Sequence, residues 1–577
     1  MNKFTHRLIR LLMLLLWIMW AIVIIAILSI KTDFGAKILV RYISDNNNIF
    51  SLKIGNVSHS FNKPYEFIIN DFCLNDKSTG KTIIQNAQLT LALDMSTLFH
   101  HPIWQYVIIN HGQLNLSLDQ LQQSPLQHYF PTKHLQLIDV TAYLHNTQGL
   151  ESHITGLTGG VKPWLPHKLA TDQTVEFNFT TQTTQLNQLT INKMVIGGIE
   201  KNGNIYLNNV GGNLYHGFFL AKANHLADQH WVINELHFNH INSPDDQIIK
   251  TFESTIQHLP PLTIKKLYVL NSSFDLPQFK IEKGNIELVD IRYNNHWSWR
   301  NASFIANADN VVINDHHFSD LLIRGKINPQ QLIIEKAESR WNRGIISLNG
   351  IWQENQLRLN KLFIAGIRYT LPNDWLSRIN NKKLPSYLAN ITIDDFTLTP
   401  SLIIDTRSAF PMQFTALEVE GKDLDLIHNR RFALSRGDLN IKAYDATINK
   451  VALHYNDLSI NISRQAKSNT QKRSSNTIIN MTFSALTDTG IIDARIVVNK
   501  TQKQLQKLNI IGKNVDSQLL KQWHIIENPT DSMEFSVSLS GDYDPLNLAG
   551  KLSNEDLNQT RHYNITHNQI RTNDQQY

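Results

Sequence analysis

Apolar positions along this chain follow two rules in turn. From residue 11 to residue 30 they are continuous: LLMLLLWIMWAIVIIAILSI holds one polar residue, Ser29. At about 1.5 Å rise per residue such a run covers the roughly 30 Å hydrocarbon core of a bilayer, so it predicts a transmembrane helix running from Leu11 through Trp17 and Trp20 to Ile30. From Phe50 onward the period becomes two. Gln88-Leu-Thr-Leu-Ala-Leu93, Gly112-Gln-Leu-Asn-Leu-Ser-Leu118, Val175-Glu-Phe-Asn-Phe179 and Met533-Glu-Phe-Ser-Val-Ser-Leu539 alternate apolar with polar residues, as do 438–441 and 458–462. That alternation is the strand signature.

Turn signals such as Lys201-Asn-Gly-Asn204, Glu282-Lys-Gly-Asn285, Asn342-Arg-Gly344 and Asp488-Thr-Gly490 separate the runs. They predict hairpins, and together a long antiparallel β-meander with one apolar and one polar face. Helical interruptions are few. Thr32 or Asp33 caps a short helix to about residue 42, and four more short helices fall at 121–129, 245–258, 373–379 and 517–523. The predicted fold class is mainly β: an N-terminal transmembrane helix, then an elongated, curved, groove-like antiparallel sheet with a few short helices.

The flanks of the apolar run set topology. Lys3, Arg7 and Arg10 precede it without an acidic residue, which holds residues 1–10 in the cytoplasm and sends the rest across. A cleaved signal peptide is the competing reading; the length of the run and the absence of a small-x-small cleavage site favour an uncleaved anchor. The expected divisions are the cytoplasmic flank 1–10, the signal anchor 11–30, an N-terminal β region 31–130, a central meander 131–464, a flexible polar loop 465–476, a C-terminal β region 477–552 and a disordered tail 553–577.

Composition narrows the chemistry. The chain has 577 residues, 42% hydrophobic, with a formal net charge of +5 and no long basic run beyond the helix flank, so nucleic acid is not a partner the charge supports. Cys73 is the single cysteine, which excludes an intramolecular disulfide and a thiolate metal cluster. In a strand pattern between Phe72 and Leu74, it reads as a packed thiol. Ser78-Thr-Gly-Lys-Thr82 resembles the end of a phosphate loop, but Asn75 stands where the first glycine belongs, so a hairpin turn is expected. His237 and His240 fall on opposite faces of a strand, His316-His317 lacks a third ligand, and no Gly-x-Ser-x-Gly elbow marks a nucleophile. Asp394-Asp395 and the carboxylates at 423–425 read as solvated faces. No catalytic, metal or cofactor residues are expected, and an envelope hydrolase is the least favoured class.

Several stretches resemble the AsmA family of inner-membrane-anchored periplasmic proteins of Gram-negative envelopes. They are Thr32-Asp-Phe-Gly-Ala, Ile54-Gly-Asn-Val, Ile69-Asn-Asp-Phe-Cys-Leu74 and Leu114-Asn-Leu-Ser-Leu118 near the start, then Gly159-Gly-Val-Lys-Pro-Trp164, Glu338-Ser-Arg-Trp341, Ile364-Ala-Gly-Ile-Arg-Tyr-Thr-Leu-Pro-Asn-Asp-Trp375 and Leu402-Ile-Ile-Asp405. The similarity covers roughly residues 1 to 550 and brings no catalytic motif. It implies an inner-membrane, single-pass protein with its bulk in the periplasm and a role in envelope homeostasis; larger relatives resemble bridge-like lipid-transfer proteins whose sheet encloses an apolar groove.

On that reading the partner is membrane phospholipid, shielded by a lining of Leu89, Leu91, Leu93, Leu114, Leu116, Leu118, Val175, Phe177, Phe179, Met533, Phe535, Val537 and Leu539. Each buried methylene retains about 0.8 kcal/mol, so an apolar trough lowers the cost of moving an acyl chain without any reaction. Alternation alone leaves the choice open. The same rows serve equally as the dry core of sandwiches, and a scaffold that contacts outer-membrane assembly factors without lipid cargo is the competing function.

Overall fold

The computed structural model describes residues 50–94 except 61–62 and 78–79, then 103–117, 131–145, 149, 151–165, 174–226, 230–243, 247–257, 260–277, 279–381, 383–407, 411–466, 475–516, 533–555, 560–566 and 569–572. Ahead of these it describes 13–22, 24–25 and positions 32, 35, 38 and 41. The protein is mainly β, and its chain forms two compact units, Met1–Pro277 with Glu287–Ser298, and Gln278–Ile286 with Trp299–Tyr577.

In the first unit, Lys63–Asp76 and Thr82–Leu93 pair antiparallel, as alternation with a short turn requires. The expected hairpin at Lys77–Lys81 is seen: Asp76 N–H donates to Lys81 O at 2.9 Å, Gly80 N–H donates to Asp76 O at 2.9 Å, and Gly80 holds φ +69°. The strand Trp104–Asn110 follows antiparallel to Thr82–Leu93, but its next partner, Leu135–His145, runs parallel to it. The purely antiparallel meander is therefore corrected. A second parallel pair joins Trp231–Asn239 to Leu262–Leu276, and in the second unit a third joins Gln356–Ala365 to Asn390–Asp405.

The three crossovers seen among the described strands share a plan. The outgoing strand breaks and resumes as a short strand, Gln113–Ser117, Asn242–Ser243 or Arg368–Leu371, that keeps one register with the same parallel partner. At the breaks, Thr141 N–H donates to Gly112 O, Ser273 N–H to Ile241 O and Leu402 N–H to Ile367 O, at 3.0, 2.8 and 2.9 Å. A parallel return needs a connection longer than a hairpin, and helices supply part of it. Gln247–Ile256 lies where the pattern predicts a helix over 245–258, and Trp375–Asn381 where it predicts one over 373–379. The predicted helices at 121–129 and 517–523 lie outside the described residues.

Within the strands single residues adopt φ near +50°, Asp71, Asn86, Asp139 and Asn271 in the first unit and Asp423, Tyr455 and Asn514 in the second, as does His240 at the break after Asn239. Most are Asp, Asn or His, the side chains that tolerate this region best. Each is followed by a buried residue, among them Phe72 at 3% exposure, Val140 at 0%, Ser272 at 0% and Val515 at 0%. Register shifts coincide, as between Ile69 and Phe72, Leu137 and Val140, and Gly512 and Val515. These are β-bulges: one extra residue resets the alternation, so the apolar face continues past a kink instead of turning outward.

Beyond the kinks the apolar face is covered. In the first unit, Phe252 of the helix Gln247–Ile256 meets Phe238 edge-on at 5.9 Å, joining Leu189, Ile191, Leu214 and Ile241. In the second unit, Trp375 Nε1–H donates to Asp405 Oδ2 at 2.9 Å, and the buried Asp405 accepts from Arg407 N–H at 3.1 Å and pairs with its guanidinium at 2.6 Å. Arg407 also stands over the Trp375 ring, 5.1 Å from its centre. The guanidinium, with lesser help from the indole N–H, holds the Asp405 carboxyl down to about 2.

The end of the chain departs from expectation. Thr560–Thr566 and Gln569–Thr572 are strands where composition predicts disorder, the first paired with Leu546–Glu555 and the second with the first. An existing ladder offers backbone partners that local composition does not reveal. Around the polar loop, Val451–Ala466 and Ser475–Leu486 pair as far as Ala466 with Ser475, and 467–474 lie outside the described residues.

Candidate apolar ligand face

Register decides which side chains share a face. In the first unit the paired positions Ile69, Leu89, Ile109, Leu137, Gly159, Phe179, Ile196, Val210, Ala221, Leu236 and Leu267 form one row from strand to strand. A second row runs beside it through Phe67, Leu91, Val107, Leu135, Val161, Phe177, Gly198, Leu207, Ala223, Ile233 and Ile264. In the second unit the row is Ala306, Ile323, Ala337, Leu348, Leu362, Phe396, Gly421, Leu439, Ile460, Met481, Ile496, Leu508, Leu539 and Gly550.

Burial along the rows is uneven. At the start of the first unit Leu89, Leu91, Val107, Ile109 and Leu137 are fully buried in one cluster with Phe72 and Leu74. From Val161 the side chains are mostly half-buried, and in the second unit every apolar side chain of the row is half-buried. The inner residues of a two-layer sandwich would be fully covered. Here each unit's apolar clusters are built from strands that neighbour one another in the hydrogen-bonded sheet, and among the described residues no strand of a second sheet joins them.

Aromatic rings lie across glycines on this face. A Cβ built at Gly198 would stand 2.9 Å from Phe177 Cζ, one at Gly159 2.7 Å from Phe179 Cδ1, and one at Gly325 2.9 Å from Phe304 Cε1. In each pair the ring fills the place of the neighbour's missing side chain. Phe177 and Phe179, two residues apart, lean toward opposite neighbouring strands.

The residues singled out from the sequence separate accordingly. Leu89, Leu91, Phe177 and Phe179 lie on the first unit's rows, and Val537 and Leu539 are half-buried on the second unit's face. Leu93 is half-buried opposite Trp104, and Val175 is half-buried opposite Glu200. Leu114, buried at 7%, and Leu116 lie past the kink at His111, facing Ala142 and Leu144. Phe535, at 3% exposure, packs in a closed cluster with Ile492 and Val515. Leu118 and the side chain of Met533 lie outside the described residues. Ile196, Val210, Leu348 and Phe396 also belong to the rows and were not singled out, because bulges interrupt the alternation around them; Met481 belongs to the row as well, although Ile479-Asn-Met-Thr-Phe-Ser-Ala485 alternates without a register shift.

At the amino end, Trp17 is 74% and Trp20 56% exposed on helical backbone, while Leu11 and Ile30 lie outside the described residues. Among the described residues no helix is long and apolar enough to cross a membrane. Gly35 N–H donates to Thr32 Oγ1 at 3.2 Å, as a capping threonine would.

Titratable groups are tied to structure. The Tyr106 hydroxyl donates to the carboxylate of buried Glu66, which lowers the acid; burial first, and that carboxylate second, push the phenol up to about 12. His454 sits between Asp445 at 2.6 Å and Asp488 at 3.1 Å, and their hydrogen bonds raise it. His237 stacks on Tyr268 at 4.6 Å, and His240 meets Asn271 at 2.8 Å. Asp394 pairs with Arg358 at 3.0 Å. Among the described residues no group of three or more His, Cys, Asp or Glu could hold a metal ion. What this arrangement can do is hold an apolar ligand over a wide, single-layer face.

No family model matches the chain, and no solved structure matches it. It is similar to the AsmA family protein YicH of Escherichia coli (strain K12), 25% identical over 520 residues, which is 89% of this chain and 88% of that protein. This match bears out the family resemblance carried by the stretches quoted from the sequence.

Proposed function

We propose, from AsmA-family membership as the premise, that this chain is an envelope protein held in the inner membrane by residues 11–30, with its β units in the periplasm. Its apolar faces take up phospholipid acyl chains and help move them between the inner and outer membranes, or keep outer-membrane composition in balance. The observation that carries this reading is the row from Ala306 to Gly550: it is register-matched, its apolar side chains are half-buried throughout, and among the described residues no strand of a second sheet packs on it. Covering such a face with hydrocarbon stabilises by about 25 cal/mol per Å². Nothing in the mechanism requires a covalent step; headgroups stay hydrated while the tails are shielded.

The test is photocrosslinking from single positions in intact cells. A benzophenone side chain at Leu439 or Ile496, on the row, should capture phospholipid, whereas one at Asn440 or Arg495, on the opposite face, should not. Protein-only adducts at all four positions would sink the lipid reading in favour of a scaffold that contacts assembly factors.

A further inference from the structure

The polar side of the first unit carries a feature that the apolar face does not explain. Elsewhere on that side amides hydrogen-bond from strand to strand: Asn70 donates to Asn56 at 2.7 Å, Gln88 to Asn70 at 2.9 Å and Asn110 to Gln88 at 3.1 Å. One register step along, paired positions read Gln136, Gly160, Asn178, Gly197 and Asn209. Glycines alternate with amides, so no two amides are adjacent, and the ladder cannot close. Among the described residues the side chains of Gln136, Asn178, Asn208 and Asn209 have no hydrogen-bond partner, and they line a cleft of about 560 Å³ floored by the two glycines. That volume falls within the roughly 300–1,000 Å³ range of ligand sites. A bulge between Leu207 and Val210, in the pairing with Gly217–His225, adds Asn208 beside Asn209.

The only charges at the rim from Lys and Glu neutralise each other, Lys162 Nζ standing 2.8 Å from Glu176 Oε2. Side-chain amides present donors and acceptors together and no net charge, which matches vicinal hydroxyls and N-acetyl groups and does not favour a phosphate. Peptide recognition on a sheet uses a free edge or pockets for side chains, and the strands here are paired on both sides. The amides recur every second strand, about 9.6 Å apart at 4.8 Å per strand, close to the two-ring repeat of an extended β-1,4-linked glycan. We propose that this cleft is a binding site for a neutral glycan chain, lying across the strands with Gln136, Asn178 and Asn209 hydrogen-bonding successive ring pairs.

Gly197 allows the site to be filled without disturbing its frame: a Cβ there meets Asn178 Oδ1 at 3.5 Å and Asn209 Cβ at 3.8 Å, ordinary contact, on extended backbone. The experiment uses the full chain in a zwitterionic, sugar-free detergent and saturation-transfer difference NMR with the β-1,4-linked N-acetylglucosamine tetramer; maltotetraose and tetra-alanine serve as comparison probes. The expected result is saturable transfer from the N-acetylglucosamine tetramer that weakens at least tenfold in Gly197→Leu and in Asn178→Ala, with circular dichroism unchanged. Should Gly197→Leu fail to fold, Asn178→Ala combined with Asn209→Ala takes its place. No saturable transfer, equal transfer in the variants, or stronger transfer to tetra-alanine overturns the proposal. Lipid captured on the other face is scored separately, so the two readings fail independently.

Discussion

Replacing one apolar residue by asparagine at two positions of the strand Val451–Ala466 tests whether the row of the second unit is uncovered. Leu453 is 2% exposed and packs with Ala446, Ala485, Ile492, Val515 and Phe535. Truncating it removes a transfer contribution and leaves a cavity, about 3–5 kcal/mol together, and burying the new amide without a partner adds about 1–3 kcal/mol. Ile460, on the same strand, is half-buried between Leu439 and Met481. There Ile460→Asn loses about half of a side chain's burial and two cross-strand contacts, about 1–2 kcal/mol, and the amide keeps its water. Hydrogen exchange of peptides from 451–466 in increasing urea reads the local stability of this strand directly. Leu453→Asn should be several kcal/mol worse than Ile460→Asn. Equal losses would mean that a second layer covers the row, and the single-sheet reasoning would fall.

Three further outcomes follow from the side-chain geometry. The raised His454 stabilises the fold as a cation, so its contribution is present below the unfolded value near 6.5 and is lost as pH rises through the higher folded value; amides at 451–458 should show lower protection, relative to their intrinsic base-catalysed exchange rate, at pH 8.5 than at pH 6, and Asp488→Asn should shrink that difference. The depressed Asp405 acts with the opposite sign, stabilising above about pH 4 and losing its effect as pH falls toward about 2; Asp405→Ala should speed exchange across Trp375–Asn381 at neutral pH while leaving 451–466 unchanged. Ultraviolet titration should find one tyrosine ionising near 12, and Glu66→Gln should bring Tyr106 back toward ordinary values; an unchanged curve would refute the pairing.

Period-two alternation made the β class and the strand cores at 88–93 and 175–179 legible, because a half-buried sheet imposes that pattern directly. The parallel returns were not legible. Alternation over 112–118 marks a strand without saying which way its partner runs, and only a distant segment fixes that direction. The kinks escaped for a related reason: an Asp or Asn inside an apolar strand, such as Asp139 before Val140, looks like a broken pattern, when it is a bulge that preserves the face. Of the candidate lining, sequence chose the rows with the cleanest alternation. Clean alternation does not report cover, so Phe535 ended in a closed cluster while Met481, in an equally clean strand, and Phe396, in a noisier one, lie on the half-buried row.

The crossovers bear on how the chain assembles during synthesis. Apart from the short broken pieces, strands within each unit lean on one made shortly before, so a nascent chain can extend the ladder hairpin by hairpin at low contact order. Each crossover is a pause: the outgoing edge must wait, exposed, until some thirty further residues arrive to close it. Stalling ribosomes just after residues 117, 243 and 371 should therefore leave the most protease-sensitive and aggregation-prone intermediates, and a holding chaperone would be needed at those three lengths more than at any others.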